Sequence, residues 1–236
     1  EARQRNGSGV RNLFFPAGNT IAMRTDALSR ICSHAHRIFP RLQRITIYGS
    51  SQYIHQKGPE KLKRLAQAGL TRIHVGLESG DDEILRMIRK GTNAAQQTEA
   101  GIWTRGAGIQ LSVYVVLGIG GATHTTSHAV RTADVVNRIQ PDFIRLRTFV
   151  PKINTPMLDW VQSGRFTMLG PHGVLREAAS MIRRMDAPSA LRSDHYTNYI
   201  NLEGRLPDCR SRLLSEIEAA LQRPQSRFRP FFIGRE

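Results

Sequence analysis

Cysteine is nearly absent: Cys32 and Cys209 are the only two in 236 residues. Two cysteines this far apart exclude a disulfide framework and a C-x-x-C metal motif, and they favour a reducing compartment. Long apolar runs are missing as well. The longest, Val113 to Ile119, is too short to cross a bilayer, and nothing resembles a signal peptide. A cytoplasmic protein without a membrane partner is therefore expected. Acidic residues are scarce, with 19 Asp plus Glu against 34 Lys plus Arg and a net charge of +15. Such a surface attracts polyanions. No basic block interleaved with aromatics occurs, however, and no motif of a standard nucleic-acid-binding fold. No internal repeat or low-complexity segment appears, and the first residue is Glu1 rather than Met.

What is present reads as a globular protein with a sizeable core: 40% of residues are apolar and 22% charged. Short β-prone runs alternate with amphipathic stretches, the pattern of parallel βα units. Strands are predicted at Val10–Phe15, Ile45–Tyr48, Ile73–Leu77, Ile109–Leu117 and Phe143–Phe149. Between them, Thr25 caps a helix with Leu28, Ile31, Ala35 and Ile38 on one face. Pro59 opens a second, Asp81 and Asp82 start a third, residues 94–105 form a fourth, and a fifth runs from about Thr126 to Ile139.

The strand phases favour a barrel over a doubly wound sheet. Ile109, Leu111, Val113, Val115 and Leu117 alternate with Gln110, Ser112 and Tyr114; Ile73, Val75 and Leu77 with His74, Gly76 and Glu78; Ile144 and Leu146 with Arg145 and Arg147. One apolar and one polar face suit helices outside and a wet lumen inside. The expected fold is α/β, a partial parallel (β/α) barrel of about five of six strands with a C-terminal helical and irregular extension. The domains are 1–150, the barrel, and 151–236, the extension. In the extension, helices are predicted near 157–163, 171–185 and 209–222, with an irregular stretch over 186–209 that contains His195-Tyr196-Thr197-Asn198-Tyr199.

Several short motifs end these strands in order: Phe14 to Asn19, Tyr48-Gly49-Ser50-Ser51, Gly76-Leu77-Glu78-Ser79-Gly80, Leu117-Gly118-Ile119-Gly120-Gly121, Pro141-Asp142, and Pro151 with Thr155-Pro156. Together they resemble the core of the radical S-adenosylmethionine (SAM) superfamily, in particular its tRNA-modifying and coproporphyrinogen-type group. The active site of a parallel βα barrel lies at the C-terminal strand ends, where these motifs fall. The resemblance implies that Gly18 and Asn19 receive the SAM methionyl group, and that Ser50 and Ser51 offer cofactor-binding hydroxyls at the next strand end. Glu78 would accept from the ribose, Lys90 would pair with the SAM carboxylate, Gly118 would begin a backbone edge for adenosine, and Val150 and Pro151 would pack adenine. Arg147, on the polar phase of its strand, is the substrate-binding candidate.

Each residue also has a plainer reading. The glycines can be tight turns, Ser50 and Ser51 can cap a helix, Glu78 can favour the following helix start, Lys90 can face a helix C-terminus, and Arg147 can pair with Glu78 or another acid. His124 and His128, four apart, lack a third metal ligand and read as a solvated helix start. No metal-ligating residue is assigned.

The resemblance further implies a [4Fe–4S] cluster held by a C-x3-C-x2-C triad after the first barrel strand. This chain has no such triad, so the first strand and the cluster loop are expected to precede residue 1, and the chain as given to be inactive alone. Three functions stay open. The first is the C-terminal part of a radical SAM enzyme, acting on a small-molecule or RNA substrate with an electron donor such as flavodoxin or ferredoxin. The second is a degenerate, non-catalytic barrel serving as a binding module, and the third is a basic RNA-binding protein.

Overall fold

A computed structural model describes residues 9–234. The strands form one seven-stranded sheet in sequential order, β1 to β7. The fold is α/β with a mostly parallel sheet, as the alternation of strand and helix signals predicts. The chain divides into two compact units, Glu1–Leu77 with Ala95–Val113, and Glu78–Ala94 with Tyr114–Glu236.

In the first unit, β1 (Asn12–Phe15), β2 (Arg44–Gly49) and β3 (Arg72–Glu78) pair in parallel, with Phe14 opposite Thr46 and Thr46 opposite Arg72. Ile45, Ile47 and Ile73 are fully buried. On the other face of these strands, Phe14, Tyr48 and His74 meet as an aromatic cluster with ring centroids 5.1–6.1 Å apart. Helix α1 (Thr25–Ile38) has Arg24, not Thr25, at its N-cap, without a side-chain cap. Leu28 and Ala35 are buried as its spacing predicts, but Ile31 is 40% exposed. Ile31 borders an apolar groove with Leu13 and Phe15; among the described residues β1 is the edge strand of the sheet, and no further strand covers that side of α1.

Helix α2 (Ser51–Gln67) begins eight residues before Pro59 and bends at Gly58, whose φ of 73° and ψ of 170° are not helical. Pro59 has no N–H and its ring excludes the α conformation from the residue before it, so it opens only the second half of the helix. Helix α4 (Ala94–Gly106) packs its Gln97 against the end of β3, donating to the Leu77 carbonyl at 3.0 Å.

The second unit holds α3 (Asp82–Met87), the later part of β4 (Gln110–Leu117), α5 (Gly121–Ile139), β5 (Phe143–Thr148), α6 (Pro156–Gln162) and α7 (Pro171–Arg184). Helix α5 starts five residues earlier than its sequence pattern indicates, because the glycine turn at 118–121 runs straight into it, with Gly121 N–H donating to the Gly118 carbonyl at 3.0 Å. The stretch 186–209 is not wholly irregular. It contributes β6 (Ala190–Arg192), parallel to β5, and β7 (Glu203–Arg205), antiparallel to β6. Three-residue strands give too few side chains for a period of two to show. Helix α8 (Arg210–Leu221) follows and packs against α7. The alternation in β5 is as predicted, with Ile144 and Leu146 buried and Arg145 and Arg147 half-buried.

Candidate cofactor and substrate site

In the first unit, the turn after β1 is held to the turn after β2. Asn19 Oδ1 accepts the Ser50 N–H at 3.0 Å, and Asn19 Nδ2 lies 3.5 Å from Ser50 Oγ. Ser50 is also the N-cap of α2, its hydroxyl accepting from Tyr53 N–H at 3.4 Å. Asn19 and Ser50 are thus brought together, largely by each other. Ser51 is buried in the first turn of α2. Gly18 is exposed, and a Cβ placed there would meet nothing within 4 Å.

In the second unit, Glu78 ends β3 with φ at +62°, a left-handed conformation that a residue with a Cβ seldom adopts. Its Oε1 accepts from Lys90 Nζ at 2.9 Å, both side chains being about a fifth to a quarter exposed. Lys90 is positioned by the short helix between them, whose N-cap Asp81 accepts from Glu83 N–H. Glu78 therefore pairs with Lys90, and the pairing with Arg147 does not occur. Glu78 lines a cavity of about 430 Å³ together with Val116, Ile119, Phe149 and Val150. This volume is within the range of small-ligand pockets. Gly118 and Pro151 lie beside it in sequence but are not part of its wall. Pro151 is buried, its carbonyl accepting from Gly234 N–H at 2.9 Å.

Gly118, at φ +78°, is fixed from behind. Its N–H donates to Glu177 Oε1 at 2.6 Å, and Thr125 Oγ1 donates to Glu177 Oε2 at 2.6 Å. Glu177 is 3% exposed, and burial pushes its carboxyl up to about 7. Beside it His128, with no exposed surface, places Nε2 3.7 Å from Glu177 Oε1, while its Nδ1 meets Ser79 Oγ at 2.9 Å and Thr132 Oγ1 at 3.2 Å. Burial lowers the imidazole to about 4. His128 is consequently a core residue, not part of a solvated helix start; His124 is half-buried and lies 3.5 Å from Glu83. Glu177 was readable from its place on an apolar helix stripe, whereas His128, with Thr125 and Thr132 at helical spacing, was not. Glu177 lies between Val174 and Met181, three and four residues away, and His128 is four before Thr132 and one before buried Ala129.

The cavity is also lined by Arg147 and Thr148 of β5 and by residues 195–197 of the loop at 195–199. Arg147 places its guanidinium 4.4 Å from the Tyr114 ring centroid. A stacked guanidinium keeps its N–H edges available for other partners. Asn198 ties the loop to the strand, donating to the Leu146 and Ser193 carbonyls at 2.9 Å each and accepting from Thr148 Oγ1 at 3.1 Å. Arg229 braces it from the C-terminal side. Its Nε donates to the Thr197 carbonyl at 2.8 Å, and its guanidinium stacks on Tyr199 at 4.3 Å. Behind this bracing, His195, Tyr196 and Thr197 face the cavity.

The cysteines do not fit an iron–sulfur cluster. Cys32 is buried on α1 with its thiol pushed up to about 11 by burial, and Cys209 lies beyond β7 at the start of α8. Thiolates are the ligands such a cluster needs. Among the described residues no group of three His, Cys, Asp or Glu side chains is placed to hold a metal ion, and no helix is long and apolar enough to cross a membrane.

Residues 1–133 match the family described as the Radical SAM superfamily. A curated relative, the tRNA uridine(34) acetyltransferase of Dehalococcoides mccartyi, is 24% identical over 132 residues, which cover 56% of this chain and 28% of the relative. Among solved structures, the archaeal Methanocaldococcus infernus Elp3 with an N-terminal deletion aligns with 94% of this chain and 57% of its own, at a TM-score of 0.65 and 12% identity. Coproporphyrinogen III oxidase (HemN) from Escherichia coli, described as a radical SAM enzyme, aligns with 74% of this chain and 40% of its own, at a TM-score of 0.58 and 15% identity. At these identities the structural likeness is one of fold. The chain spans little more than a quarter of the curated relative's length.

Proposed function

The chain belongs to the radical SAM superfamily, and from that premise we propose that the Glu78 cavity takes the nucleoside part of SAM, with Arg147 facing the substrate. The observation that carries this reading is Glu78 itself. A carboxylate that lines the cavity is held in a backbone conformation that costs energy. Lys90 occupies one carboxylate oxygen, so the other is free for ribose hydroxyls, and the charge is balanced before ligand arrives. Val116, Ile119 and Val150 supply apolar wall against which a base can pack. Asn19, Ser50 and Ser51 are assigned within their own unit: Asn19 fixes the turn, and Ser50 keeps a hydroxyl at the strand end.

Bound SAM supplies reductive cleavage chemistry when a [4Fe–4S] cluster provides an electron; the described residues do not furnish that cluster, and no step through it is assigned to them. What they do is bind and orient. Catalysis by the complete protein, an electron donor such as flavodoxin or ferredoxin, and a cytoplasmic setting belong to the same proposal. An RNA substrate is favoured over a small molecule by the +15 charge and by the tRNA-acting name of the curated relative.

Calorimetric titration of SAM into the 236-residue chain tests the binding reading. Saturable one-to-one binding is expected, and the absence of any binding at millimolar SAM would overturn it.

A further inference from the structure

We propose that Arg147, His195 and Lys152, which all line this cavity, make up an oxyanion subsite that holds a carboxylate or phosphate group of the substrate. It deepens the reading above, resting on the Glu78 side of the same cavity being the SAM side.

Three observations carry it. The first is the excess of donors. Arg147 has its stacking contact with Tyr114 and no hydrogen bond or ion pair among the described residues, and Lys152 adds a second cation at the rim. The acid in this cavity, Glu78, is already matched by Lys90. A half-buried guanidinium with open N–H edges has to be matched by an anion or by water.

The second is the tautomer of His195. Its Nδ1 lies 2.8 Å from Thr197 Oγ1 and receives the Thr197 N–H at 3.4 Å. A backbone N–H can only donate, so Nδ1 accepts and the ring proton sits on Nε2. His195 therefore offers a donor without carrying charge. Burial and the positive Arg147 both disfavour its protonation, with Asp194 acting in the opposite sense. A neutral donor near a fixed cation adds a hydrogen bond to an anion without adding further positive charge to the subsite.

The third is rigidity. Asn198 pins the loop to β5 from one side, and Arg229 holds the Thr197 carbonyl from the other. The Phe232 ring lies tilted 6.1 Å from that of Tyr196 and 4.9 Å from the Arg229 guanidinium. A subsite whose donors are held in place loses little entropy when it closes on its ligand.

The experiment titrates sodium phosphate and sodium acetate separately into the 236-residue chain while the His195 imidazole is followed by nitrogen–proton NMR, with His195→Gln used to assign the resonance. A saturable shift with at least one of the anions is expected. Phosphate alone identifies a phosphate monoester and acetate alone a carboxylate. Arg147→Met keeps apolar packing on Tyr114 and should weaken the response about tenfold or more, as loss of one charged hydrogen-bonding partner implies. Arg147→Lys, which keeps the charge and loses the fork, should fall between. No saturable shift in the unaltered chain, or equal shifts in Arg147→Met, would overturn the proposal. SAM titration of the same proteins separates it from the reading above. If Arg147→Met loses SAM as strongly as it loses the anion, the guanidinium belongs to SAM and the subsite assignment fails. If the unaltered chain takes the anion and not SAM, the subsite stands and the SAM reading fails.

Discussion

Replacing Glu78 with alanine is expected to weaken SAM binding by about 10- to 100-fold, the equivalent of losing one charge-assisted hydrogen bond worth about 1.5–3 kcal/mol. Glu78→Gly should weaken binding as much, since it too removes the carboxylate. The two variants should differ in stability. At φ +62° an alanine retains the clash between Cβ and the backbone, which glycine lacks. The glycine variant should be more stable than the alanine variant by about 1 kcal/mol, after allowing for glycine's greater freedom in the unfolded chain. Thermal unfolding of the pair and calorimetry with SAM check both halves. Equal SAM affinity in the unaltered protein and both variants would return Glu78 to a purely structural part.

Glu177 carries the second large effect. Glu177→Ala leaves the Gly118 N–H and the Thr125 hydroxyl without their acceptor in the core and opens a void, at a cost of at least about 2 kcal/mol. Glu177→Gln nearly matches the protonated acid, its oxygen accepting from Gly118 and its amide donating to Thr125. The pH dependence distinguishes the two forms of the native residue. A carboxyl whose folded pKa is raised to about 7 contributes stability that is present at low pH and lost as pH rises from the ordinary carboxyl range through 7. His128, lowered to about 4, has the opposite slope, losing stability as pH falls from its ordinary value through 4. The two oppose each other between pH 5 and 6 in the native protein, and Glu177→Gln leaves the histidine slope alone. The glutamine variant should therefore gain on the native protein as pH rises from about 5 to about 7. Should the difference between the two proteins stay flat over that interval, the donors from Gly118 and Thr125 outweigh burial and Glu177 is already ionised in the fold.

The strand order, the alternation of faces and the ends of β2 to β5 were legible because they rest on periods that several residues repeat, such as Ile144 and Leu146 against Arg145 and Arg147. The position of Glu78 at a strand end was legible for the same reason. Its partner was not: Lys90 and Arg147 are both cations within reach of a strand terminus in sequence terms, and only the fold shows that Lys90 takes the carboxylate while Arg147 stacks on Tyr114. Single residues at interrupted periods were hidden too. Strands β6 and β7 are too short to display a period, and Ile31 follows a helical stripe whose outer edge meets no further strand among the described residues. The run His195 to Tyr199 stood out in the sequence, but its purpose depends on contacts from Leu146 and Arg229, about fifty residues before it and about thirty after it. No local pattern encodes such contacts.

The most direct test of the account is a crystal structure of this chain grown with saturating SAM. Ribose hydroxyls are expected within hydrogen-bonding distance of the Glu78 carboxylate, the base against Val150 and Ile119, and Arg147 with no contact to SAM. A nucleoside bound elsewhere, with Glu78 touching only Lys90, would contradict it.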